Sequence, residues 1–267
     1  MPATDRRAGL FPALLKHWRH SRGLSQLDLA VAADVSARHV SFLETGRSTP
    51  SPEMVLLLGH TLGVPLRHVN EMLRAADHEP VYDDDDHLPP EVQAAIDLLK
   101  VHHDPHPLIV VDRLYTIRDS NDGAMLLLQA MLGDSTEGAN LARATFDPDA
   151  AQPFIVNFEH VGRELLWRIQ REVLADPNDN ELQELLADLL EMPTVDPDWR
   201  QVDLATPSEP VLVIHLRKDD LDLRFLTMVT AFQAPQNVLA EDLRIETWFP
   251  ADDATREFYE SLAALAN

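Results

Sequence analysis

Leu24-Ser-Gln-Leu-Asp-Leu-Ala-Val-Ala-Ala-Asp-Val-Ser-Ala-Arg-His-Val-Ser-Phe-Leu-Glu-Thr-Gly-Arg47 contains two helix starts, a turn and a helix stop within 24 residues. The Ser25 hydroxyl can accept an orphan N–H of a helix that runs Gln26–Ala32. Asp28, three residues on, stands where a capping-box acid sits. Leu27, Ala30 and Val31 are spaced for one buried face. The turn Ala33-Asp34-Val35 needs a residue that tolerates left-handed dihedrals, and Asp34 does. Ser36 caps a second helix through Glu44, with Val40 and Leu43 inside and Ala37, Arg38, His39 and Ser41 outside. Gly46 ends it from just beyond the C-cap. A helix, a tight turn and a second helix with a polar start is the layout that sets its second helix in a DNA major groove.

The surrounding pattern extends this to five helices: Leu10–Ser21, Gln26–Ala32, Ser36–Glu44, Pro52–Leu62 and Leu66–Ala75. On Gln26, the Leu43-Glu44-Thr45-Gly46 close and Arg47, residues 8–76 resemble the phage-repressor (XRE-type) helix-turn-helix family. The resemblance implies that Gln26 touches a phosphate and braces the recognition helix. It implies that Ser36, Ala37, Arg38, His39 and Ser41 face base edges or phosphates, and that Arg47 sits by the DNA backbone. Phe42 replaces the polar residue many members carry; it is expected in the core rather than against a thymine methyl.

Charge sharpens the division. The chain has 267 residues and a net charge of −23, with 22 basic and 45 acidic side chains. Residues 1–79 hold nine Lys/Arg and eight Asp/Glu, while 80–267 hold thirteen and thirty-seven. The acid therefore lies in the part that a polyanion would avoid. Arg6, Arg7, Lys16, Arg19 and Arg22 form a candidate phosphate-facing cluster. A near-neutral head has modest non-specific affinity, so a homodimer on a palindromic double-stranded operator is expected. With no cysteine there is no disulfide or thiolate metal site. No signal segment or membrane-length apolar run is visible, so a cytoplasmic protein without membrane association fits.

Length favours two domains. The expected division is a DNA-binding head at 1–79, an acidic Pro-containing linker and connecting helix at 80–104, and a sensor at 105–267. Asp77–Pro90 mixes like charges with prolines and should be extended. Asp83–Asp86 and the His102-His103-Asp104-Pro105-His106 run are read as polar connectors, not cation sites. The second part alternates as helix Pro90–His102, strand Pro107–Asp112, a turn at Arg113, strand Leu114–Ser120 and helix Asp122–Leu132. A helical middle follows, then strands Val211–Lys218, Leu221–Phe232 and Leu243–Phe249 and a closing helix Asp252–Leu265. This is an α+β, PAS-like order with a five-stranded antiparallel sheet, behind an all-α five-helix head.

The runs Leu108–Arg113 with Asn121, Asn140–Pro148, Phe154–Glu159, Phe225–Gln236 and Leu243–Pro250 resemble the MmyB-like ligand-binding domain that accompanies XRE-type heads. One departure is Asn121-Asp-Gly where small apolar residues usually follow the Asn. The resemblance implies a pocket for a fatty acid or similar lipid as effector, with no cofactor. Tail-lining candidates are Phe154, Phe158, Trp167, Phe225, Met228, Phe232 and Trp248. Carboxylate candidates are Arg118, Arg163, Arg168, Arg224 and Arg244, with Arg224 placed in the ligand set. The alternative is a ligand-free protein-interaction and dimerisation module with a solid core, and a haem or flavin sensor is a third reading. No nucleophile elbow, phosphate-cradling loop or metalloprotease motif is present, so no catalytic residues are assigned and the chain is not read as an enzyme.

Overall fold

A computed structural model describes residues 10–85, 87–133, 136, 138–201, 204–207, 209, 211–233 and 235–266. Two compact units divide the chain. The first is 1–89 with 234–241, and the second is 90–233 with 242–267. Arg6 and Arg7 lie outside the described residues.

The first unit holds α1 (Leu10–Ser21), α2 (Gln26–Ala32), α3 (Ala37–Glu44), α4 (Pro52–Leu62) and α5 (Leu66–Ala75). Local chemistry sets the starts. Ser25 and Asp28 form a reciprocal capping box, and the Ser36 and Ser51 hydroxyls accept from His39 and Met54. Asp34 takes φ 53° in the turn and Gly46 takes φ 69° after α3. The core gathers Leu15, Trp18, Leu29, Val40, Leu43, Leu58, Met72 and Leu73. Leu27 and Val31 do not share it: they are 62% and 75% exposed, and Leu29, Ala30 and Ala33 turn inward instead. In a helix of seven residues, five of them apolar, periodicity does not fix the phase.

The acidic stretch after α5 has no helix, yet it is held down. The buried Asn70 side chain accepts from the Val81 and Tyr82 amides and donates to the Tyr82 carbonyl. A return segment also belongs to this unit. The Val238 amide donates to the Asp83 carbonyl at 2.8 Å, and Val238 and Ala240 are buried.

The second unit opens with α6 (Pro90–His103). Its strands β1 (Leu108–Val111), β2 (Ile117–Ser120), β3 (Leu212–Lys218), β4 (Leu221–Thr230) and β5 (Arg244–Pro250) form one antiparallel sheet in the order β2-β1-β5-β4-β3. This is the expected PAS-like sheet. Strand β2 starts three residues later than the alternation predicts. The Asp112 carboxylate accepts from Leu114 and Thr116, and Tyr115 takes φ 62°, so 113–115 turn the chain and Thr116 bridges to Asn140. Helices α7 (Asp122–Leu132), α8 (Leu141–Phe146), α9 (Phe158–Ala175), α10 (Asn180–Leu190) and α12 (Asp253–Ala266) complete the unit, while α11 (Val238–Asp242) lies on the return segment. The sequence reading contained neither α8 nor α11.

Asn121 anchors the start of α7. Its side-chain oxygen accepts from Ala124 and Leu108, and its amide donates to Asp104 and His106. The departure at Asn121-Asp-Gly leaves the helix start in place, because a Cβ at Gly123 would meet the Pro105 carbonyl oxygen at 2.0 Å.

Candidate functional site

In the first unit, α3 presents a polar outer face. Ser36 and Arg38 are exposed, and Ala37, His39 and Ser41 are half-buried. Val40 and Leu43 fix the helix from beneath, each fully buried. Arg47 is exposed beyond the C-cap. The arrangement turns short side chains and two long cations, Arg38 and Arg47, outward, where they can reach a base edge or phosphate.

Phe42 is not in the core. It is half-buried, with the Arg38 guanidinium 5.1 Å from its ring centre and that of Arg47 at 5.9 Å. The ring thus lies between two candidate DNA-contacting cations and restricts both through cation–π attraction.

Gln26 donates from Nε2 to the Glu44 carboxylate at 2.7 Å, which ties α2 to the end of α3. The same carboxylate takes Arg19 Nε at 2.6 Å and Nη2 at 3.0 Å. Burial pushes the Glu44 carboxyl up, but the bonds from Arg19 and Gln26 prevail and hold it below the usual range. Arg19 is therefore a buried strut rather than a phosphate contact. Arg22 is likewise engaged, donating to the Leu62 and Gly63 carbonyls at the end of α4. Of that basic cluster, Lys16 is exposed. The sequence reading quoted Glu44 as a motif residue and gave it no part in the interface. Its signal was a carboxylate at the end of an otherwise apolar inner face.

In the second unit, a largely enclosed cavity lies between the sheet and α7–α9. Ile109 of β1, Ile214 and Leu216 of β3, Thr227 and Val229 of β4, and Glu246 and Trp248 of β5 form one wall. Leu127, Leu128 and Met131 of α7 and Leu165 and Arg168 of α9 form the other. The free space is about 60 Å³, small beside the roughly 300–1,000 Å³ of sites that enclose a drug-sized ligand. Leu132 of α7 also lines the cavity.

The polar groups cluster at Tyr115, Arg168 and Glu246. The Tyr115 hydroxyl donates to Glu172 at 3.2 Å, and Arg244 pairs with Glu172 at 3.3 Å. Burial holds the Tyr115 phenol well above its ordinary value, and the Glu172 charge adds to this. Burial also holds the Glu246 carboxyl up, against the pull of Arg168, the Trp248 N–H and Arg244.

Of the eight ligand residues expected from sequence, Trp248 alone lines this cavity. Phe225 is packed in the core against Trp248 and Tyr259. Met228 is on the opposite face of β4 and 46% exposed. Phe154 lies under Lys218, Phe158 packs between Phe146 and Trp199, and Trp167 lies under Arg163. Phe232 follows the end of β4. Arg224 is half-exposed and paired with Asp222 and Asp252. Among the other carboxylate candidates, Arg118 pairs with Asp112, and Arg168 faces the cavity. Strand alternation gives two faces for β4, and the cavity takes the Thr227–Val229 face.

Residues 89–262 match the family described as MmyB-like transcription regulator ligand binding domain, and residues 15–69 match the family described as Helix-turn-helix. A search of curated proteins gives no match. A solved structure described as an RNA-binding Light-Oxygen-Voltage Receptor aligns at TM-score 0.30 and 11% identity, over 98% of this chain and 67% of that one.

Proposed function

We propose, from the premise that this chain belongs to the transcription regulators with an MmyB-like ligand binding domain, that its effector is a fatty acid and that it reads its operator as a homodimer. A ligand-responsive transcription regulator with a helix-turn-helix head is the coarser statement on which this rests. Ser36, Arg38, His39 and Ser41 read the major groove, Gln26 and Arg47 contact the backbone, and the protein works in the cytoplasm. An acyl tail enters the cavity, where each buried CH₂ contributes about 0.8 kcal/mol. Occupancy shifts the dimer between forms that fit or miss the half-site spacing.

The observation that carries the reading is the apolar cavity walled by α7, α9 and the inner face of the sheet. Dimerisation draws support from the other face. Val213 pairs with Leu226, and Leu226 with Phe249, in one cross-strand row. Val213 and Phe249 are substantially exposed. An uncharged row is where two chains of net charge −23 can approach.

The small free volume favours one rival, a ligand-free dimerisation module. Footprinting and native mass spectrometry of the full chain, with and without palmitic acid, test the readings together. A protected palindromic site, a dimer mass and a palmitate-dependent change in protection are expected. Palmitate that alters neither protection nor melting temperature leaves the dimerisation module. A duplex unprotected at low salt removes the operator reading.

A further inference from the structure

We propose that the polar end of the cavity is an anion site, in which the carboxylate of an acyl ligand accepts hydrogen bonds from the Arg168 guanidinium and the Trp248 indole N–H. The inference rests on the effector reading above and deepens it by assigning the head-group contacts.

Two donors line this end of the cavity. Arg168 is half-buried on α9 and lines the cavity; among the described residues it makes no hydrogen bond or ion pair. A half-buried guanidinium with no ion-pair partner gains from an incoming anion, because charge-assisted hydrogen bonds are the stronger ones. Trp248 is 5% exposed on β5, and its Nε1 is buried without a hydrogen-bond partner. A buried N–H left unmade is a cost that a ligand oxygen removes.

The neighbouring charges define which anion fits. Arg244 and Glu172 pair with each other, and Tyr115 spends its hydroxyl proton on Glu172. These cancel. Arg168 and Glu246 remain. Glu246 has no ion-pair partner within 4 Å among the described residues; the Trp248 N–H is close enough to pull its carboxyl down but completes no well-formed hydrogen bond. Burial, and far behind it the Glu172 charge, favour neutral Glu246, while Arg168, the Trp248 N–H and Arg244 oppose this. While Glu246 holds its proton, one positive charge is left over, and a single carboxylate balances it. A phosphomonoester, close to doubly charged at neutral pH, would overshoot.

Proton linkage follows. A carboxylate at Arg168 removes the cation's pull on Glu246 and adds a like charge, so Glu246 binds its proton more tightly. Ligand uptake then carries a proton with it. Affinity is highest where Glu246 is already neutral and falls as rising pH ionises it.

Titrations of the full chain with palmitic acid and with 1-hexadecanol, between pH 6 and 8.5, test the assignment. Palmitate is expected to bind about tenfold tighter than the alcohol, which is about 1.4 kcal/mol. Arg168→Met should erase that preference while hexadecanol binding persists, which also reports an intact cavity. Arg168→Lys should restore part of it. Trp248→Phe keeps an aromatic ring but removes the N–H, and should weaken palmitate several-fold. Glu246→Gln should flatten the pH profile and tighten palmitate at pH 8. A palmitate preference that survives Arg168→Met overturns the proposal. Equal binding of both probes to the unmodified chain also overturns it and leaves the effector cavity standing, whereas binding of neither probe overturns both.

Discussion

Arg19 meets Glu44 twice, through Nε at 2.6 Å and Nη2 at 3.0 Å, with the two side chains only 7% and 3% exposed. Gln26 adds a third donor to the same carboxylate. One acid at the end of α3 thus joins α1, α2 and α3. Removing one partner of a buried pair leaves the other charge uncompensated, at roughly 3–5 kcal/mol. Glu44→Ala is expected to destabilise the head by that order, read as a drop in the urea midpoint. The Glu44 carboxyl sits below its ordinary value, so its contribution is present above the unfolded-state value near 4.5 and disappears as pH falls through the lower folded value. Urea curves at pH 7 and pH 3 should therefore converge for Glu44→Ala and the unmodified chain. A constant gap between them would refute the linkage.

Arg38 and Phe42 make the second case. Arg38 is exposed on α3 and steadied over the Phe42 ring. If Arg38 contacts a base edge, Arg38→Ala removes about 1–3 kcal/mol of discrimination without unfolding the head. Mobility-shift titrations against operator and scrambled duplexes measure this. Phe42→Ala keeps the cation but frees its rotamers, so affinity should fall by less than in Arg38→Ala. Equal operator affinity for Arg38→Ala and the unmodified protein would remove α3 as the reading helix.

The helices were legible where their signals are local. Ser25, Ser36, Ser51 and Asn121 each cap the helix they precede, and a cap is read within four residues. What depends on the third dimension was less visible. Leu27 and Val31 face out because α2 is short and apolar on most sides. The cavity wall was misassigned because alternation divides β4 into two faces but does not say which one looks at α9. Phe225, chosen as a wall, is on the correct face yet belongs to the core beside Trp248, while Thr227 and Val229 do the lining. Arg168 was one of five candidate arginines, and only packing shows that Arg118, Arg224 and Arg244 are paired elsewhere.

Helix α5 begins after Pro65 with no side-chain cap of its own. Its first amide, Leu66, donates to the Glu241 carboxylate at 2.8 Å, 175 residues along the chain. A carboxylate there also meets the positive end of the helix dipole. Glu241→Ala is expected to cost about 1 kcal/mol, the usual size of a lost N-cap. Glu241→Gln, which keeps an acceptor but drops the charge, should lose less. Hydrogen exchange at Leu66 and the following amides reads this directly: protection should fall in Glu241→Ala and partly return in Glu241→Gln. Unchanged protection in Glu241→Ala would show that the return segment does not cap α5.

Gly123 supplies a purely steric test. It sits in the first turn of α7, and an added Cβ would lie 2.0 Å from the Pro105 carbonyl oxygen and 3.1 Å from the His106 carbonyl carbon. Both obstacles are backbone. They are also fixed in place, because Asn121 bonds the His106 carbonyl and the Leu108 amide. Neither can move without breaking the cap that starts α7. In an open helix, Gly→Ala should stabilise by up to about 1 kcal/mol through propensity. Here overlap should reverse the sign, and Gly123→Ala should destabilise the second unit by more than about 3 kcal/mol. Asp122→Ala, one residue earlier and exposed, controls for changes in helix propensity at this turn. Thermal melts of the two variants decide the matter: a Gly123→Ala protein that melts at or above the unmodified temperature would mean that α7 does not approach the 105–106 backbone this closely.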